Sequence, residues 1–112
     1  MDGKVVIIES IDDWNNIVRF HKNNNNLLVC KFSTSWCPPC KMLAPKFNQL
    51  SLNYNDNVMF LSIDIDKNQE IAEKFNVSSI PTTLIIQNCK VIYTVNGANI
   101  QEIQENIDSI IQ

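Results

Sequence analysis

Apolar residues along the chain alternate between short β-branched runs and longer stretches that repeat every three or four positions, the rhythms of strands and amphipathic helices. Val5-Val6-Ile7-Ile8 predicts a short buried strand. Ser10 follows as an N-cap with Asp13 in the first turn, and Trp14, Ile17, Val18 and His21 recur at helical spacing. Lys22 ends that helix, and Asn23 to Asn26 read as a connecting loop. Leu27 to Phe32 is almost continuously apolar, which predicts a central strand covered on both faces, although Lys31 interrupts it. Leu43, Phe47, Leu50 and Tyr54 then mark a long amphipathic helix, expected to bend at Pro45. Asn55-Asp56-Asn57 is a turn into a strand from Val58 to Ile65, in which Met59, Leu61, Ile63 and Ile65 alternate with other side chains. Asp66, Lys67 and Asn68 lead to a short helix through Ile71, Ala72 and Phe75, ended by Asn76. Leu84 to Ile86 and Val91 to Val95 flank a tight turn at Asn88-Cys89 and form a hairpin. Gly97 reads as a position where a side chain would clash. Ile100, Ile103, Ile107, Ile110 and Ile111 make a last helix with an isoleucine face. The order is α/β, with about five strands and four helices.

Chemistry concentrates in Ser33-Thr34-Ser35-Trp36-Cys37-Pro38-Pro39-Cys40-Lys41, where a strand pattern gives way to a helix pattern. A helix starting near Pro38 puts Cys37 at the N-cap and Cys40 in the first turn, close enough for their sulfurs to bond across a small ring. The helix N-terminus favours the thiolate of Cys37. Lowering a thiol pKa from about 8.5 to about 7 raises the thiolate fraction at neutral pH from a few per cent to roughly half. Cys37 is therefore the expected nucleophile, and Cys40, deeper in the helix and less exposed, the expected resolving thiol.

The 112 residues suit one domain with a core of its own, taken as residues 1–112. A net charge of −3 and a pI near 4.9 argue against nucleic acid or an anionic membrane as partner. No stretch has the apolar length of a membrane span, and Met1 to Ser10 lacks the features of a secretory signal, which together predict a cytoplasmic protein. Four cysteines are too few for a disulfide framework, and only one pair sits at a meaningful spacing.

Four features together resemble the thioredoxin family over nearly the whole chain: Trp36-Cys37-Pro38-Pro39-Cys40-Lys41, Pro45, Ile80-Pro81-Thr82 and Gly97-Ala98-Asn99. The resemblance implies a thioredoxin fold, a central mixed sheet flanked by helices, with Pro81 in cis beside the cysteines. It also implies reduction of disulfides in other proteins through a redox-active Cys37–Cys40 pair, without cofactor or metal. Trp36 would wall the site, Pro38 would face the substrate, Ile80 would offer its backbone to a substrate chain running antiparallel, and Gly97 and Ala98 would complete an apolar docking surface. The implied partners are an NADPH-dependent thioredoxin reductase and, downstream, peroxiredoxins or other disulfide proteins; the chain is expected to act as a monomer.

The chain departs from its resembled family at two points. Pro38-Pro39 replaces the usual Gly-Pro, as in related disulfide reductases, and leaves the Cys40 N–H as the nearest donor to the Cys37 sulfur. Lys31 stands where thioredoxins have a buried acid. It either sits beneath the cysteines, as a neutral base or a charge favouring the Cys40 thiolate, or reaches the surface or a carboxylate such as Asp64. Cys30 reads as an inert buried strand residue, Cys89 as an exposed turn residue open to modification or dimer formation, and His21 as a helix-end surface residue. Two alternatives stand beside the reductase: a metal site shared across a dimer, and a scaffold of the same fold with weak redox activity.

Overall fold

The computed structural model describes residues 3–112; the first two residues of the N-terminal stretch read for a signal lie outside them. The elements are β1 Val5–Ile8, α1 Ile11–His21, β2 Leu27–Ser33, α2 Pro38–Ser51, β3 Val58–Asp64, α3 Gln69–Lys74, β4 Thr82–Gln87, β5 Lys90–Asn96 and α4 Ile100–Ile111. They form the expected mixed sheet, in the order β1-β3-β2-β4-β5. β1, β3 and β2 run parallel, while β4 and β5 join antiparallel on the other side. β2 thus lies in the middle, and the C-terminal end of this most protected strand is where the cysteine motif emerges.

The sheet carries a core on each face. On one, α2 and α4 bring Leu43, Phe47, Leu50, Ile103 and Ile107 onto Leu27, Val29, Phe60 and Ile85. On the other, α1 and α3 bring Trp14 and Ile71 onto Leu28, Cys30, Phe32, Leu61 and Ile63. Successive residues of β2 point to opposite faces, so its unbroken apolar run fills both cores. β3 does the same: of the alternating Met59, Leu61, Ile63 and Ile65, Leu61 and Ile63 are buried and the other two half-buried, while Val58 and Phe60 are buried on the opposite face. The strand ends at Asp64, one residue before the predicted Ile65.

β1 corrects the expectation of a buried strand. It is an edge, paired only with β3, and Ile7 is 68% exposed while Ile8 alone of the four residues is buried. An apolar run has the same composition at an edge and at a centre, and only pairing distinguishes them.

Helix ends follow local chemistry. Ser10 Oγ accepts from Asp13 N at 3.1 Å, as predicted for the cap of α1. α2 continues through Pro45 to Ser51, and Tyr54 beyond it donates its hydroxyl to Asp108 Oδ1 of α4 at 2.7 Å. At the hairpin turn both Asn88 and Cys89 have positive φ, 50° and 68°, which matches the right-handed twist of the flanking strands.

The two glycines of the chain hold their places for different reasons. Gly97 has φ +85°, yet a Cβ there would meet no atom within 4 Å, so the backbone conformation and not a clash requires it. Crowding is found instead at Gly3, where a Cβ would run into the Asn48 carbonyl oxygen and Ser51 Oγ. Gly3→Ala should therefore cost about 1–3 kcal/mol through overpacking. Gly97→Ala should cost about 1 kcal/mol through its left-handed backbone. Urea unfolding of both variants checks this, and a larger loss at Gly97 would reverse the assignment.

Candidate active site

β2 ends at Ser33, the chain passes through Thr34, Ser35 and Trp36, and α2 begins at Pro38 with Cys37 as its N-cap. Cys37 is extended (φ −85°, ψ 116°), so its side chain turns back over the first turn, where Sγ accepts from Cys40 N at 3.4 Å. Pro38 and Pro39 occupy the first two helical positions and have no N–H. Cys40 therefore supplies the first free donor of the helix, as the sequence predicts. Both thiols are free.

The expected difference in exposure between them is not found: Cys37 is 4% and Cys40 3% exposed. Their surroundings separate them instead. Burial first, then a hydrogen bond and charge repulsion from Cys37, push the Cys40 thiol up to about 11, while the Thr34 backbone N–H and Lys31 pull it down. At neutral pH Cys40 therefore stays protonated, with its thiol in hydrogen-bond contact with the Cys37 sulfur.

The side chains around the pair come from distant segments. Trp36 is 64% exposed, and its Nε1 donates to Asp66 Oδ2 at 2.9 Å, which fixes the indole plane beside the motif. Asp66 is itself held by an Asx turn, its N–H donating to Asp64 Oδ1 at 2.9 Å. Sequence reasoning placed Asp66 only at a helix entrance; nothing in its neighbourhood signals a partner thirty residues away.

The Ile80-Pro81 bond is cis, as the resemblance implies. The β2–β4 register pairs Phe32 with Thr82, which sets Pro81 level with the Ser33 exit of the motif strand. Gly97 N donates to Pro81 O at 2.8 Å, bringing the start of the last loop onto the cis proline. Ile80 and Gly97 are half-buried, and Pro38 and Ala98 are exposed. The residues expected to form one docking surface thus belong to three segments, two of them joined at Pro81.

Lys31 is 5% exposed, which corrects the alternative that it reaches the surface. It lies on the α2 side of β2, and its Nζ sits 5.1 Å from the centroid of the Phe47 ring. Burial lowers its pKa and Cys40 raises it; the expected partner Asp64 instead accepts from Asp66 N. Cys30 is on the opposite face, in the α1–α3 core, where burial pushes its thiol far up. Cys89 is exposed on the hairpin turn. His21 is half-buried at the end of α1, with Asn26 Nδ2 donating to its Nδ1 at 3.1 Å. Among the described residues no three His, Cys, Asp or Glu side chains cluster as metal ligands.

Comparison with known proteins agrees with this geometry. The sequence profile of the family described as Thioredoxin matches residues 5–109. Thioredoxin H4 of Arabidopsis thaliana is 35% identical over 106 residues, covering 95% of this chain and 89% of that protein. The crystal structure of thioredoxin NaTrxh from Nicotiana alata superposes with a TM-score of 0.93 at 32% identity, covering 97% of this chain and 94% of that one. Schistosoma mansoni thioredoxin does so with a TM-score of 0.87 at 35% identity, covering 95% and 94%. The two cysteines at the head of α2 thus sit in a fold and a sequence of one kind, and the chain belongs to the thioredoxin family, a thiol–disulfide oxidoreductase by descent and by architecture.

Proposed function

We propose that residues 1–112 act as a single-domain disulfide reductase with a Cys-Pro-Pro-Cys active site, Cys37 its nucleophile and Cys40 its resolving thiol. The observation that carries this reading is the hydrogen bond from Cys40 N to Cys37 Sγ at the N-terminus of α2, with Cys40 kept protonated beside it. The Cys37 thiolate attacks one sulfur of a substrate disulfide; a Cys37–substrate bond forms, and the other sulfur leaves as a thiolate that takes a proton from solvent. Cys40 then gives up its proton, its thiolate attacks Cys37 Sγ, and the second substrate sulfur departs. The substrate gains two electrons and two protons, and the dithiol becomes a disulfide.

Trp36, Pro38, Ile80, Pro81, Gly97 and Ala98 serve as the docking surface, with the half-buried Ile80 pairing its backbone to an extended substrate segment. An NADPH-dependent thioredoxin reductase restores the dithiol, and peroxiredoxins or other disulfide proteins consume it. The protein works as a cytoplasmic monomer without nucleic acid or membrane; among the described residues no helix is long and apolar enough to cross a bilayer.

The test is insulin reduction by dithiothreitol with wild type and with Cys40→Ser. The wild type accelerates reduction, and Cys40→Ser accumulates a covalent insulin adduct at Cys37. Reduction no faster than dithiothreitol alone, with no adduct, would leave the scaffold reading.

A further inference from the structure

Lys31 is the only charged side chain among the described residues that is buried; burial, the largest influence on it, lowers its pKa, and three features of its surroundings work against that loss of charge. Its Nζ lies over the face of Phe47, whose ring quadrupole attracts a cation. Cys40 and Phe47 share the buried face of α2, so the thiol and the ring look onto the same side of the sheet. Lys31 also lines a recess of about 360 Å³ with Gly3, Val5, Ile7, Asn48 and Ser62, none of them on the docking surface. The elements packed around it offer no competing acid. α2 contains no Asp or Glu, β1 presents Val5 and Ile7, β4 presents Thr83, and β3 presents Ser62 and, two pairs farther along, the Asp64 already held by Asp66 N–H.

We propose that Lys31 is a positioning residue for the resolving step: its ammonium, hydrated through the recess on the side away from the substrate, holds Cys40 as a thiolate once Cys37 is bound to substrate. This rests on the roles of Cys37 and Cys40 given above. In the free dithiol burial first, and then the hydrogen bond and charge of the Cys37 sulfur, keep Cys40 protonated. Attack on a disulfide converts that sulfur into a neutral thioether-like atom of a mixed disulfide, and both influences vanish. Burial then stands alone against the Thr34 N–H and Lys31, both of which favour the thiolate. The first chemical step therefore prepares the second, and Lys31 supplies the charge that makes the preparation effective. The Cys40 proton passes to solvent, the Cys40 thiolate forms the bond to Cys37 Sγ, and the released substrate thiolate takes a proton from solvent.

The experiment uses 5,5′-dithiobis(2-nitrobenzoate) as the disulfide. Attack by Cys37 releases one thionitrobenzoate, and resolution by Cys40 releases the second. Both rates are read against pH in wild type, Lys31→Met and Cys40→Ser. With Lys31→Met the second release is expected to move about one unit up the pH scale, which slows it about tenfold at neutral pH. Urea unfolding of the same variant verifies that it is folded, and Lys31→Arg, which keeps the charge, should recover part of the wild-type profile. A second release with an unchanged pH profile in Lys31→Met overturns the proposal and leaves the cysteine roles intact. A second release that persists in Cys40→Ser overturns the cysteine roles themselves.

Discussion

Cys37→Ser is expected to bring insulin reduction down to the rate of dithiothreitol alone. In the proposed mechanism the reacting species is the Cys37 thiolate at the N-terminus of α2, where Cys40 N lies 3.4 Å away as a hydrogen-bond donor. A serine hydroxyl in the same place has no accessible anion at neutral pH and forms no disulfide, so the whole catalysed component is lost and not a fraction of it. Loss of a covalent nucleophile costs other enzymes several orders of magnitude in turnover. Folding should be little affected, because serine is itself a good N-cap and can accept the same Cys40 N–H. The measurement is turbidity of the released insulin chain, alongside a urea midpoint. A residual catalysed rate that disappears only when Cys40 is also replaced would transfer the nucleophile's role to Cys40.

The second large effect is on stability. Phe47 is fully buried on α2, meets Phe60 of β3 edge to face with ring centroids 5.1 Å apart, and covers Lys31. Phe47→Ala is expected to cost about 3–5 kcal/mol, the range for emptying an aromatic site in a close-packed core. Against a total stability of about 5–15 kcal/mol, that is a large part of what keeps a domain folded. The loss exceeds what transfer of the ring alone predicts, because β2 and β3 hold the floor of the cavity and α4 closes its side, so the space cannot collapse. Urea unfolding with unchanged m-value would measure it. A cost below about 1 kcal/mol would mean that the α2–β3 contact relaxes freely and that the core is not close-packed there.

How far the sequence carried the reading differs from element to element. The two periodicities located every strand and helix, because spacing along a chain reports which side chains share a face. The cap at Ser10, the helix start at Pro38 and the turn at Asn88-Cys89 were legible because each depends on a few neighbouring residues. β1 was misread because burial of an edge depends on which strand lies beside it. The reason for Gly97 was misread, and the crowding at Gly3 missed, because a clash involves segments far apart in sequence. Asp66 went unrecognised for the same cause: it is tied to the site by the indole N–H of Trp36, thirty residues away.

The sequence by itself determined that Cys37 caps α2 and that Cys40 N is its nearest donor, since a thiol at a helix N-cap followed by two prolines leaves one nearby donor, and both facts are local. It also marked Lys31 as anomalous, without deciding between the surface and the interior. Only the tertiary structure could decide that, because a lysine's charge state and reach depend on what closes over it. Here α2 lays Phe47 across the Lys31 amine, with Cys40 on the same helix face, while the edge at β1 leaves a recess on the other side. The chemistry of the second cysteine is thus a property of packing between β2 and α2, and no run of adjacent residues encodes it.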